Sequence, residues 1–365
     1  MRAAVLEESQ SDLRIADLDI DAPKEGEVLV RVMAAGVCHS DYHYIAGDLQ
    51  TPLPVVLGHE GAGVVEAIGP GVDSVAPGDH VIFLWRPSCG RCEYCARGLP
   101  VLCDLGKSMR ATGGMPDGST RFHRGSEDVH HFLGVSCFAE KCVVIEEALV
   151  RIPDDVPFDI AAVLGCSVIT GVGAVLDAAG VRPGDAVLVI GAGGIGLSCV
   201  MAARLAGASR VIAADRVSNK LDLARDFGAT DVVDTTRVSL PREVRRLTGS
   251  GVDHSFECIG NPQTVSEAVS SLRRAGTATI VGLARPDATA TINPSELVLL
   301  EKKVQGSLYG SAQPHADIPR LITLYRTGQL PLDRLISRRY PLDGINDAFA
   351  AMVSGDVARS VLVLE

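Results

Sequence analysis

"DAVLVIGAGGIGLSCVMAARLAGASRVIAAD", residues 185–215, decides the fold. An apolar run at 186–190 reads as a buried strand, and the glycine-rich loop after it opens into an apolar helical pattern. "RVIAAD" then returns as a second strand ending in Asp215. The loop glycines Gly191, Gly193, Gly194 and Gly196 permit a tight turn, close approach of a pyrophosphate and packing of helix on strand. Asp215 suits the two hydroxyls of an adenosine ribose and opposes a 2′-phosphate, which favours NAD over NADP, although Arg216 beside it weakens that preference.

The alternation continues downstream. "NKLDLARDFGAT" reads as helix, "DVVD" as strand, "LPREVRRLTG" as helix, "VDHSFECIG" as strand, "TVSEAVSSLRRAG" as helix and "TATIVGL" as strand. That rhythm is a doubly wound parallel sheet and occupies about half the chain. At 365 residues a second domain is expected. No long linker, low-complexity tract or internal repeat interrupts either half.

A net charge of -11 and a pI near 5.3 argue against nucleic acid as a partner. The acidic start, "MRAAVLEESQSDLRIADLDI", lacks the apolar core of a signal peptide, so a cytoplasmic location is expected. Residues 186–203 are uncharged over a length that approaches a membrane span, yet the glycines fit strand, loop and helix better. No membrane association is expected. A reducing compartment also disfavours structural disulfides for the ten cysteines.

Four of those cysteines, Cys89, Cys92, Cys95 and Cys103, crowd into "SCGRCEYCARGLPVLC". Four thiolates at this spacing close a tetrahedron around zinc and leave no open position, which makes the site structural; an iron–sulfur cluster or plain reduced cysteines are the alternatives, and nothing nearby suggests electron transfer. A second set is dispersed: Cys38 in "GVCHSDYH", His59 and Glu60 in "LGHEGAGVVEAIGPGV", and Cys166 in "AAVLGCSVITG". Cys, His and Cys are zinc ligands of the kind that leave a fourth position for water or an alcohol oxygen. Each alone is more often a buried thiol or a satisfied histidine, and sequence distance does not show that they meet. Cys137, Cys142, Cys199 and Cys258 read as core thiols.

Taken together, "GVCHSD", "GHEGAGVVEAIGPGV", "GDHVI", the four-cysteine lobe, "MPDGSTRF", "HHFLG", "GCSVITG", "GAGGIG" and "RSVLVL" resemble the zinc-dependent medium-chain alcohol dehydrogenases, nearly end to end. The resemblance implies an α/β fold: a GroES-like β-barrel catalytic domain at 1–167 and 309–365, and a Rossmann domain at 168–308. It implies two zinc ions per chain and NAD. Cys38, His59 and Cys166 would hold the catalytic zinc, Glu60 would stand behind it, and Asp41 would orient His59. Ser40 would take the alcohol proton and His43 would pass it to solvent. His39 and Arg359 match pyrophosphate contacts, Asp215 and Lys220 ribose contacts, and Thr170 and Ile195 nicotinamide contacts. Read without the resemblance, Ser40 equally suits a helix cap near Asp41, and His43 a surface histidine.

The implied reaction moves hydride between a primary, aromatic or allylic alcohol and NAD. Leu49, Trp85, Phe132 and Leu133 would line the pocket, unless Trp85, the one tryptophan, simply packs in the core. The segment 107–134 resembles the longer loop of dimeric members, so a homodimer is expected, with a homotetramer as the alternative. The same loop occurs in thiol-dependent formaldehyde dehydrogenases, where Lys107 and Arg110 could serve an anionic adduct. A tailoring enzyme with permanently bound NAD, or a non-redox zinc protein, is the remaining alternative.

Overall fold

The computed structural model describes residues 1–364. In the strand β1 (Glu27–Gly36), Val28, Val30 and Val32 are buried while Leu29, Arg31 and Met33 are half-buried. This two-residue period sets one face against a core. Strand β1 is the centre of a seven-stranded sheet, pairing antiparallel with β2 (Glu60–Ile68) and with the C-terminal strand Arg359–Val363. A six-stranded sheet that includes Arg2–Leu6 shares its apolar core, in which Val30, Phe83, Phe122 and Phe138 are buried. Each such side chain contributes roughly 1.5–3 kcal/mol on leaving water. These two sheets form the GroES-like part.

Directly after β1 comes the helix α1 (His39–Ile45), for which Cys38 is the N-cap. Ser40 therefore lies inside the first turn and makes no cap, which removes the capping reading of that residue. The long helix α2 (Phe158–Ala178) contains an 18-residue stretch of mean hydropathy 2.0, 89% of which is buried in the protein. It joins the two halves, and the boundary read at 167/168 falls inside it. Residues 186–203, the stretch of membrane-like composition, instead form a strand, a loop and most of a helix.

The nucleotide half runs through β3 (Ala186–Ile190), α3 (Gly194–Leu205), β4 (Arg210–Asp215), β5 (Asp231–Asp234), β6 (Val252–Glu257), β7 (Leu272–Ile280) and β8 (Lys303–Gly306). All strands are parallel, in the order β5-β4-β3-β6-β7-β8. The order reverses between β3 and β6, and ligands of such sheets bind at the carboxyl ends of the strands beside that reversal. One element departs from the sequence reading. The helix expected through residue 276 spans only Pro262–Ser270, and strand β7 begins at Leu272. Leu272 is buried and pairs with Val252, so sheet pairing overrides the helical pattern of "SLRRAG".

Candidate active site

Backbone register assembles the dispersed cluster. Gly36 at the end of β1 faces Glu60 at the start of β2, so Cys38 and His59, two residues past Gly36 and one before Glu60, come together. A Cβ on Gly36 would strike Glu60 Oε2 at 2.2 Å, and one on Gly61 would strike the Phe83 ring at 2.2 Å. Cys166 arrives from α2, in a wide π-helical turn at Leu164–Val168, a distortion frequent at functional sites. The ligand atoms of Cys38, His59, Glu60 and Cys166, all buried, lie within 4.8 Å of one another. Cys166 Sγ is 3.5 Å from His59 Nε2. Tetrahedral zinc, with bonds of about 2.0–2.3 Å, sets ligand atoms roughly 3.5–3.8 Å apart, so the set fits the ion.

The residues behind the cluster fix its geometry. Asp41 Oδ1 accepts from the His59 ring at Nδ1 (3.1 Å) and from Gly58 N (3.1 Å), which leaves Nε2 toward the thiols. Burial holds the Asp41 carboxyl above its ordinary range, opposed by His59. Burial also pushes Glu60 up to about 7, against the pull of Arg359, with which it forms a buried ion pair. Arg359 lies against Gly194, where a Cβ would be 2.3 Å from its Cδ, and its Nε is buried without an acceptor. It thus stands between the cluster and the glycine loop. The family resemblance assigns Arg359 to a pyrophosphate, and nothing in the sequence signals its pairing with Glu60.

In the lobe, the sulfurs of Cys89, Cys92, Cys95 and Cys103 also lie within 4.8 Å of one another. Cys103 Sγ is 3.5 Å from Cys89 Sγ and 3.7 Å from Cys92 Sγ, the edges of a zinc tetrahedron. Backbone N–H groups of Cys95 and Asp104 draw the Cys92 thiol down to about 6, whereas burial pushes Cys95 up to about 12 and raises Cys103, so without a cation the cluster disfavours holding four thiolates together. Both clusters are zinc sites.

The glycine loop forms the expected cradle. Gly191 has φ +93, and a Cβ on Gly196 would sit 1.7 Å from Gly191 O. A Cβ on Gly193 would meet nothing within 4 Å, so the loop is open where a phosphate would approach the first turn of α3. Asp215 ends β4, with Oδ2 accepting from Ala192 N (2.8 Å) and Oδ1 from Val217 N (2.9 Å), which orients its carboxylate at the loop. Lys220 follows on the next helix, Ser218–Asp226. Gly171, whose Cβ would lie 2.5 Å from Ile195 O, lets α2 approach α3 closely and brings Thr170 near Ile195. The residues present fit a nicotinamide dinucleotide. His39 is exposed at the start of α1.

Aromatic rings flank the zinc cluster. Trp85 and Phe132 meet the His59 ring edge-on, at 5.9 and 6.0 Å between centroids. Trp85 also leans on Tyr309 at 5.0 Å, and its Nε1 is buried without an acceptor. Nothing local in the sequence marks Tyr309. Its hydroxyl donates to Gly165 O beside Cys166, so one ring braces both Trp85 and the π-helical turn. Leu49 is buried just past α1, and Leu133 follows Phe132 with φ +55. Lys107 and Arg110 are exposed on the helix Asp104–Thr112. Cys137, Cys142 and Cys199 are buried, with Cys258 half-buried 3.8 Å from Cys199.

A barrel with a closed four-thiolate lobe, an open Cys–His–Cys site and a dinucleotide sheet together define a zinc-dependent dehydrogenase. Residues 24–154 match the alcohol dehydrogenase GroES-like domain, and residues 194–327 match the zinc-binding dehydrogenase domain. The chain is 40% identical to the NDMA-dependent alcohol dehydrogenase of Amycolatopsis methanolica, over 99% of this chain and 98% of that protein. It is also 40% identical to an S-(hydroxymethyl)glutathione dehydrogenase of Escherichia coli, over 99% of each. The crystal structure of benzyl alcohol dehydrogenase from Acinetobacter calcoaceticus superposes with a TM-score of 0.95 at 34% identity, covering 100% of this chain and 99% of that one. The chain belongs to the zinc-dependent medium-chain alcohol dehydrogenase family.

Proposed function

We propose that this protein is an NAD-dependent dehydrogenase of primary alcohols, aromatic or allylic, and of the matching aldehydes in reverse. The observation that carries the substrate class is the pair of rings, Trp85 and Phe132, set edge-on to His59. Two aromatic rings beside the zinc cluster favour flat, unbranched substrates over branched ones. Benzyl alcohol is the substrate named for the structural relative of TM-score 0.95. NAD over NADP rests on Asp215, whose carboxylate at the end of β4 would repel a 2′-phosphate.

When bound, zinc supplies the Lewis acidity that acidifies the alcohol, and the nicotinamide takes the hydride. The chain supplies position and a proton route. Ser40, in the first turn of α1 and two residues past Cys38, takes the alcohol proton on its hydroxyl. His43, one turn further along α1, carries it toward solvent. Asp41 holds His59 in one tautomer, and Arg359 neutralises Glu60 while its buried Nε remains for a pyrophosphate oxygen.

We further propose a cytoplasmic homodimer. Strand β8 is a sheet edge, and beside it Val298 and Leu299 are 76% and 79% exposed on the helix Pro294–Leu299. Such an edge seeks a partner. Purified protein holding two zinc ions, mixed with NAD and a panel of primary, secondary, terpenoid and aromatic alcohols, should raise absorbance at 340 nm with the primary aromatic members first. No rise with any of them, in protein that binds NAD, would redirect the reading to a thiol adduct or a trapped cofactor.

A further inference from the structure

The chain makes a sharp turn just past α1. Ala46 N donates to Tyr42 O, Gly47 takes φ +78, and Leu49 N reaches back to His43 O at 3.1 Å. The left-handed step at Gly47 swings Asp48 under the helix it has just left. There Asp48 Oδ2 lies 3.1 Å from His43 Nδ1, with both side chains about three-quarters shielded, at 27% and 22% exposed. The other carboxylate oxygen, Oδ1, is 3.3 Å from Nη1 of Arg285. Arg285 belongs to the opposite half of the molecule, in the loop after β7, and is steadied there by Asp287 at 3.2 and 3.4 Å. Asp48 is thus the shared acceptor of a histidine from the barrel and an arginine from the nucleotide domain.

We propose that Asp48 is the positioning residue of His43, holding it with Nδ1–H donated and Nε2 free to accept a proton, and that Arg285 holds Asp48 in that role across the cleft. The proposal rests on the reading of His43 as the proton carrier. A carboxylate on Nδ1 fixes the neutral tautomer and steadies the imidazolium that forms when Nε2 receives the proton. The proton leaves from the same Nε2 to solvent water, and Nδ1–H stays with Asp48 throughout. An exposed arginine–carboxylate contact contributes little to stability. Its consequence is geometric: the orientation of the carrier depends on the two domains standing in the relation that lets Arg285 reach Asp48.

The test has a readout independent of turnover. Protein labelled with 15N at histidine is compared as wild type and Asp48→Asn by long-range 1H–15N spectra above neutral pH, with His43→Gln to assign the signal. His43 should appear as the Nδ1–H tautomer in the wild type and lose that signature in Asp48→Asn. In steady state, Asp48→Asn should lower kcat about tenfold, a fraction of the ~100-fold or more that a general base supplies. KM for alcohol and NAD should stay within about twofold, and added imidazole or Asp48→Glu should restore much of the loss. Arg285→Gln should broaden the His43 signal and lower kcat less. The Nε2–H tautomer in the wild type, or wild-type turnover in Asp48→Asn where His43→Gln is impaired, would overturn the proposal. The tautomer is read without substrate, so failure of the alcohol panel would fall on the proposed function and leave this arrangement standing.

Discussion

Ser40, Asp41 and His43 occupy neighbouring turns of one short helix, and their environments divide the work. Ser40 is half-buried two residues from a zinc ligand. Ser40→Ala should lower turnover by about 100-fold or more while zinc content by atomic absorption stays at two per chain. Asp41 is fully buried against His59, and Asp41→Asn should weaken zinc binding by about 10- to 100-fold in a competition with a chromogenic chelator. Outside the site, His131 offers a test of burial alone. Its Nε2 accepts from Arg121 N at 3.1 Å, its ring stacks on Phe122, and burial, with Arg121 nearby, pushes its pKa down to about 3. A histidine depressed in the folded state but ordinary at about 6.5 when unfolded contributes stability above pH ~6.5 that is lost as pH falls toward 3. Wild type should therefore lose about 2 kcal/mol from this residue between pH 7 and 5 in denaturant titrations, and His131→Asn should lack that slope.

At the scale of elements, the glycine loop and the cysteine lobe were the most legible parts of the sequence, because their signals are local. Gly196 shows why: the carbonyl of Gly191 occupies the place of its Cβ, so Gly196→Ala should abolish NADH binding followed by fluorescence or prevent folding outright. The lobe likewise has few apolar residues inside 88–100 to hold it, and Cys95→Ser should drop zinc from two ions to one and open the segment to protease. What the sequence hid is non-local. "SLRRAG" carries a helical pattern, yet pairing of Leu272 with Val252 makes it strand. The convergence of Cys38, His59 and Cys166 was legible only through the family resemblance, because it depends on the β1–β2 register and a π-helical turn, neither of which spacing encodes. Tyr309, Asp48 and Arg285 gain their meaning only from partners far along the chain.

Over the whole molecule, the division of labour is spatial. The barrel holds the open zinc site and its aromatic walls, the parallel sheet offers its strand ends, and α2 runs from one to the other with Cys166 and Thr170 a single turn apart. Arg359–Glu60 and Arg285–Asp48 tie these halves near the place of reaction. The outer edge at β8 is free of that work, and if it carries the proposed dimer, Leu299→Asp should leave a monomer by light scattering with its zinc retained. In this division the closed lobe supports structure and the zinc held by Cys38, His59 and Cys166 serves the chemistry. The decisive measurement is zinc per chain together with the rate of NADH formation from NAD and benzyl alcohol, in wild type and Cys166→Ser. The expected result is a fall from two zinc ions to one with turnover lost and NADH binding kept. Undiminished turnover with one zinc remaining would place the chemistry away from this cluster.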